Sequence, residues 1–141
     1  MRIVTERAGT APETTRVVVI PGGTVRTMTP SPGPEFAPGQ IVTVFRSRLR
    51  DDAGPGYAER ADEMARLVQT MPGLVDVKHF VADDGERVTL ATFRDGEAQA
   101  AWREHPDHRV AQQEGRDRWY AEYSIQVCET VRARRFGAGA G

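Results

Sequence analysis

Between Gln40 and Arg135 the spacing of apolar residues switches in a fixed order: strand, helix, strand, strand, helix, strand. An alternation of two marks a half-buried strand and a period of about 3.6 marks an amphipathic helix, so this order restricts the fold more than any other feature. In Gln40–Leu49, Ile41, Thr43, Phe45, Ser47 and Leu49 share one face, while Val42, Val44, Arg46 and Arg48 share the other. Both faces begin apolar, so both are expected to be partly covered. Tyr57–Met71 carries Tyr57, Ala61, Met64, Ala65, Val68 and Met71 on one helical stripe and stops at Pro72-Gly73. Leu74–Ala82 is a strand with Val75, Val77, His79 and Val81 on one face. Asp83-Asp84-Gly85-Glu86 turns it into Arg87–Phe93.

Asp95 is placed to cap a helix reaching about Glu104, on which Ala98, Ala101, Trp102 and His105 share a face. Pro106 forces a break and a restart to about Gln113, because proline cannot continue a hydrogen-bonded helix but starts one well. Gly115 is expected to loosen the chain after it. Tyr120–Arg134 reads as the last strand, with Tyr123, Ile125, Val127 and Val131 alternating. The order is that of an α+β, ferredoxin-like βαββαβ domain. Two helices cover one sheet face. Burying each Val, Ile or Phe of the other face gains roughly 1.5–3 kcal/mol, so two copies packed face to face as a homodimer are expected.

The first forty residues have a different character. Thr14–Ile20 and Thr24–Thr29 are β-rich runs around Pro21-Gly22-Gly23, which predicts a β-hairpin, and Pro30-Ser31-Pro32-Gly33-Pro34 continues to Pro38-Gly39 as a linker. The expected organisation is an N-terminal hairpin arm and linker over 1–39, the βαββαβ domain over 40–135 and a flexible tail over 136–141. An isolated hairpin is marginal in water, so the arm is expected to fold over a pocket mouth or to add to a partner's sheet edge.

Composition removes several classes of function. The net charge is −1 with acids and bases interspersed, and no basic stripe with interleaved aromatics is present, so nucleic-acid binding is not expected. No stretch approaches the roughly 18 apolar residues of a membrane span. Cys128 is the only cysteine, which excludes an intramolecular disulfide. A cytoplasmic protein is the expectation.

The stretch Trp102-Arg103-Glu104-His105-Pro106-Asp107-His108-Arg109-Val110-Ala111-Gln112, followed by Gly115-Arg116, Trp119-Tyr120 and Tyr123, resembles the antibiotic biosynthesis monooxygenase family of dimeric α+β barrels. The resemblance covers about Gln40 to Arg135. It implies a pocket between the helices and the sheet, and a monooxygenase-like oxidoreductase acting on an aromatic or polyketide-like small molecule of secondary metabolism. Cofactor-free members use an Asn and a Trp in that pocket. Haem-degrading members use a first-strand Asn, a second-helix Trp and a His ten residues beyond it. Trp102 matches the second-helix Trp, but the tenth residue after it is Gln112 and the chain contains no asparagine. Neither set is present in its usual form. Two alternatives stay open: a haem-binding protein or haem enzyme with a His ligand, and a non-catalytic ligand-binding or structural dimer.

The candidate catalytic residues are Trp102, His105 and His79. The indole of Trp102 reads as a pocket wall with one hydrogen bond to donate, or more simply as a core residue holding helix to sheet. His105 and His108 are three apart and suit a ligand or acid–base role, although His105 also suits the cap of the restarted helix. His79 lies between Val77 and Val81 on an apolar face, as a buried base or as a satisfied sheet histidine. The alternative haem ligands are His79, His105 and His108. Arg46, Phe45, Tyr123 and His108 are the candidate substrate contacts: an inward Arg46 would hold a carboxylate or phenolate, although an edge or interface ion pair is the simpler role for Arg46 and Arg48. Trp119, Tyr120 and Tyr123 read most simply as packing between the last helix and the last strand. Cys128, Met28, Met64 and Met71 read as packing residues.

Overall fold

The computed structural model describes residues 33–137 and, ahead of them, the strand backbones Arg16–Val19 and Val25–Met28. Contacts divide the chain into two units, Met1–Gly33 and Pro34–Gly141. In the first unit, β1 (Arg16–Val19) and β2 (Val25–Met28) pair antiparallel, with Arg16 opposite Met28 and Val19 opposite Val25. This is the expected hairpin. Its turn at Pro21-Gly22-Gly23, the linker start at Pro30-Ser31-Pro32 and the end of the tail lie outside the described residues.

The second unit runs β3 (Ile41–Leu49), α1 (Tyr57–Gln69), β4 (Leu74–Val81), β5 (Arg87–Phe93), α2 (Gly96–Glu104), α3 (Pro106–Glu114), a π-helical turn (Gly115–Trp119) and β6 (Tyr120–Glu129). The four strands form one open antiparallel sheet in the order β4-β5-β3-β6. This is the ferredoxin-like α+β architecture that the periodicity predicts. Among the described residues no helix is long and apolar enough to cross a membrane.

The register sorts the side chains into two faces, because residues directly opposite in an antiparallel pair point the same way. One face carries Ile41, Thr43 and Phe45 of β3, opposite Phe93, Ala91 and Thr89 of β5. The helices pack here. Val68 of α1 and Ala98 of α2 bury against Ala91 and Phe93, with Leu74, Val77 and Trp102 at the margin of the cluster. The other face carries Val42 and Val44, opposite Thr92 and Leu90, and Phe80 is 48% exposed beside Val88.

Local chemistry explains most boundaries. Asp95 caps α2 by accepting from the Ala98 N–H at 2.8 Å, and that bond is the first cause holding its carboxyl below the ordinary range. Pro106 occupies the first turn of α3, where its missing N–H costs nothing. The turn after α1 needs a glycine: Gly73 has φ +85°, and a Cβ there would lie 2.7 Å from that of Ala98.

Five expectations are corrected. A register shift between Leu74 and Asp76 puts Leu74, not Val75, on the core face with Val77, because the bulge residue is skipped by the partner strand. On α2 the buried neighbours of Trp102 are Ala98 and Gln99, while Ala101 is exposed, since the helix is rotated toward β5. Gly115 does not loosen the chain; it opens the π-helical turn, where a side chain would run into the Tyr120 ring. Strand β6 ends at Glu129, so Val131 lies beyond the ladder at 87% exposure. The outer half of β4 is exposed from Lys78 onward, so His79 is not buried: it sits on an edge strand beyond the helical cover.

Candidate functional site

The candidate residues fall into three places. The first is the corner between α2 and α3. The ring of His108 stacks on Trp102 with centroids 4.0 Å apart and planes inclined by 14°. His108 Nδ1 lies 2.9 Å from the carbonyl oxygen of Trp102. A carbonyl only accepts, so Nδ1 carries the proton and Nε2 keeps its lone pair. Burial is the main cause lowering the His108 pKa; the Trp102 carbonyl opposes it and nearby His105 adds to it. His108 is therefore a neutral imidazole in one tautomer. His105 lies between the two helices and accepts the Asp107 N–H at its Nδ1, 3.2 Å away. It caps α3, and its ring is 6.2 Å from that of Trp102.

His79 stands apart. Its Nδ1 is 2.8 Å from the hydroxyl of Thr89, directly across the ladder. No hydrogen bond or ring contact joins it to Trp102 among the described residues.

The second place is a shallow hollow of about 230 Å³ lined by Arg46, Ser47, Glu86, Glu122, Tyr123 and Ser124. Two of the expected substrate contacts line it, Arg46 and Tyr123, and Phe45 packs on Tyr123 at 5.7 Å. Arg46 is engaged within the chain: Nε and Nη2 donate to Glu86 Oε1 at 2.9 and 2.6 Å. Arg48 likewise donates to Asp84. Both guanidinium pKa values are raised by the hydrogen bond to their carboxylate partner first. An inward Arg46 free for a substrate carboxylate is thus corrected to an exposed intrachain ion pair.

The third place joins the start of α1 to the start of β6. Tyr57 meets Trp119 edge-on at 5.7 Å and Tyr120 at 6.1 Å. Tyr120 meets Phe45 at 5.6 Å and Tyr123 at 5.9 Å. The guanidinium of Arg87 lies 5.5 Å over the Tyr57 ring. Burial, then the charge and hydrogen bond of the Tyr57 phenol, push the Tyr120 hydroxyl above the ordinary tyrosine range, and Arg87 acts the other way. Tyr120 stays protonated. Trp119 is 4% exposed, yet its Nε1 is sealed from solvent with no acceptor, as is the Thr43 hydroxyl without a partner. Sequence alone suggested packing for Trp119 and Tyr120, with a tyrosine hydroxyl opening into the cavity as the alternative. The available signal was Gly115 ahead of two adjacent aromatics; the glycine admits the Tyr120 ring that closes this cluster.

Among the described residues no group of three His, Cys, Asp or Glu side chains is placed to hold a metal ion. Of the three expected haem ligands, His105 and His108 share the Trp102 corner and His79 stands apart, each with Nδ1 engaged as above. Cys128 is exposed on β6 rather than buried, because that edge strand has no helix over it.

Comparison with known proteins supplies the lineage. Residues 40–114 match the family model described as antibiotic biosynthesis monooxygenase. The uncharacterized protein YqjZ of Bacillus subtilis is 32% identical over 99 residues, covering 70% of this chain and 86% of YqjZ. Among solved structures, Rv0793 of Mycobacterium tuberculosis aligns with a TM-score of 0.58 at 18% identity, over 71% of this chain and 99% of that one. A variant of SnoaB, a cofactor-independent oxygenase from Streptomyces nogalater, aligns with a TM-score of 0.56 at 15% identity, over 70% and 96% of the two chains. These two structures share the fold. The family match spans more than half of the sequence and lies over the ferredoxin-like sheet and its helices, and the chain belongs to the antibiotic biosynthesis monooxygenase family.

Proposed function

We propose that this protein is a cytoplasmic, homodimeric, cofactor-free monooxygenase-like enzyme acting on an aromatic or polyketide-like small molecule of secondary metabolism. The observation that carries the reading is the run of aromatic rings from Phe45 through Tyr120 to Tyr57 and Trp119, at one end of the helix-facing layer. Stacked or edge-on rings suit a flat apolar ligand. The reaction class comes from the family and from what SnoaB is known as.

In such a reaction a phenolic or enolic substrate loses a proton and its anion passes an electron to oxygen. One oxygen atom enters a CH2 group as a carbonyl and the other leaves as water, so CH2 and O2 balance C=O and H2O. The protein's share is orientation, anion stabilisation and proton transfer. His108, in the separate Trp102 corner, has Nδ1 committed to the Trp102 carbonyl and keeps Nε2 as an acceptor. Among the described residues no hydrogen bond or ring contact joins it to the aromatic run, so it is a proton acceptor only for a substrate that reaches that corner. Trp102 holds that imidazole by stacking. The two bases expected from sequence change roles: His105 is a helix cap, and His79 is a sheet residue paired with Thr89.

The dimer rests on the open sheet. Val42, Val44, Val88 and Leu90 lie on the face opposite the helices, and Ile125 and Val127 on edge strand β6 are 51% and 54% exposed. A second copy would cover the first set. Turnover of candidate phenols, measured with and without oxygen, tests the reaction: product is expected only aerobically, and equal product in both arms would refute it. Sedimentation equilibrium tests the dimer.

A further inference from the structure

We propose that α3 is a strap across the Trp102 corner, held closed by two polar pins rather than by burial, and that its opening uncovers the Trp102 ring to a flat molecule. The first observation is how little of α3 is buried. Helix α1 buries Val68, and α2 buries Ala98 and Gln99, but no residue of α3 is buried. Its one branched apolar side chain, Val110, is 52% exposed. The inward positions are half-buried and carry His108, Ala111, Gln112 and Glu114. Apolar area removed from water is the main force that holds a helix to a domain, and α3 has little of it. Segments of this kind open locally while the rest of the fold stays intact.

The second observation is what holds α3 instead. Its first turn is pinned to α2 by His108, which stacks on Trp102 and lies 2.9 Å from the Trp102 carbonyl oxygen. Its last turn is pinned to α1 by Arg60. Nε and Nη2 of that guanidinium donate to Glu114 Oε2 and Oε1 at 3.0 and 2.8 Å, a two-pronged fit to the carboxylate. The two side chains are 30% and 26% exposed, so the pair is partly shielded from solvent. The third Arg60 contact, Nη1 to Glu63, stays within α1 and pins nothing.

The ends of the strap suit such a motion. At its start His105 leaves helical geometry, with φ −58° and ψ 129°, and Pro106 has no N–H to bond back into α2. At its end Gly115 and Trp119 are buried in the π-helical turn, which keeps the chain anchored while α3 opens. Opening withdraws the imidazole that covers the indole, and a flat aromatic molecule can take its place. This goes beyond the oxygenase reading and rests on it only for what enters.

Native-state hydrogen exchange of the intact chain tests the strap. After correction for intrinsic rates, the amides of Val110, Gln112 and Glu114 should exchange at least about tenfold faster than those of Val68 in α1 and Ala91 in β5. Arg60→Gln should speed the α3 amides by about fivefold and leave Val68 and Ala91 unchanged. Arg60→Lys, which keeps the charge but not the two-pronged fit, should give a smaller change, and Glu63→Gln should give none. A Trp119→Phe background leaves Trp102 as the single tryptophan, and there Arg60→Gln should raise the quenching of its fluorescence by acrylamide. Exchange of α3 in step with Ala91, no response to Arg60→Gln, or faster exchange with unchanged quenching would each overturn the proposal. Neither readout uses oxygen, so an opening strap in a chain without aerobic turnover would reject the oxygenase reading and leave the strap standing.

Discussion

The two tryptophans of this chain stand at two corners that differ in how their surroundings are satisfied. Trp102 is half-buried on α2, stacked by His108, and its carbonyl is used by the same imidazole. Trp119 is fully enclosed by the start of α1 and the tyrosines, and its one polar atom has nothing to bond. Trp102 is the residue that the family pattern brings forward. Trp119 is the one whose polar group is left over. A match to a pattern identifies lineage, whereas an unspent donor in a closed space marks a local cost that the surrounding packing has to offset.

Truncation should separate the corners most. Trp119→Ala opens a cavity in an enclosed site and should cost about 3–5 kcal/mol. Trp102→Ala removes a partly exposed ring and should cost roughly 1.5–3 kcal/mol. Urea unfolding of both variants measures the difference. A larger loss at Trp102 would mean that a partner copy buries that corner, and would reverse the comparison. Replacement by phenylalanine sharpens it. Trp119→Phe deletes a donor that has no acceptor, so without ligand it should cost less than about 1.5 kcal/mol despite the complete burial of the site.

The strand-helix order was legible because each element carries its own period: Val68 lies on the α1 stripe that the helical spacing turns inward. The misplaced residues are those whose position another segment decides. The bulge at Val75 exists because β4 must match the register of β5. Gln99 is buried and Ala101 exposed because α2 is turned by its packing on β5. The aromatic end of the layer was less legible than the Trp102 corner. Tyr57 and Trp119 are far apart in sequence and meet only because the π-helical turn brings the chain back over Gly56. The roles of His105 and His79 depended on a cap and on a cross-strand hydroxyl, which spacing hints at but does not decide.

Acid should act on the Trp102 corner first. The folded-state pKa of His108 is lowered from 6.5, chiefly by burial. A proton therefore binds the unfolded chain more readily, and stability rises with pH through that interval. His108 contributes fully above its unfolded pKa of 6.5 and loses that contribution as pH falls through the lower folded value. The carboxylates of Asp52, Asp84 and Asp95 are held below 3.8, so their contribution is lost only in a more acidic range. In thermal unfolding followed across pH, His108→Gln should flatten the upper interval and leave the lower one unchanged. An unaltered upper interval would place the titration elsewhere.

The smallest effect concerns Gln112, one helical turn beyond His108 on α3. Its Nε2 lies 3.3 Å from His108 Nδ1, the same nitrogen that is 2.9 Å from the Trp102 carbonyl. One nitrogen cannot donate to a carbonyl and accept from an amide at once. The shorter contact, to an atom that can only accept, decides the tautomer, and Gln112 then contributes little beyond packing. Gln112→Ala should leave the imidazole 15N shifts in the Nδ1–H pattern and change stability by no more than about 0.5 kcal/mol. If the variant instead moved the proton to Nε2, Gln112 would be what orients the imidazole, and the satisfied appearance of the Trp102 corner would depend on it.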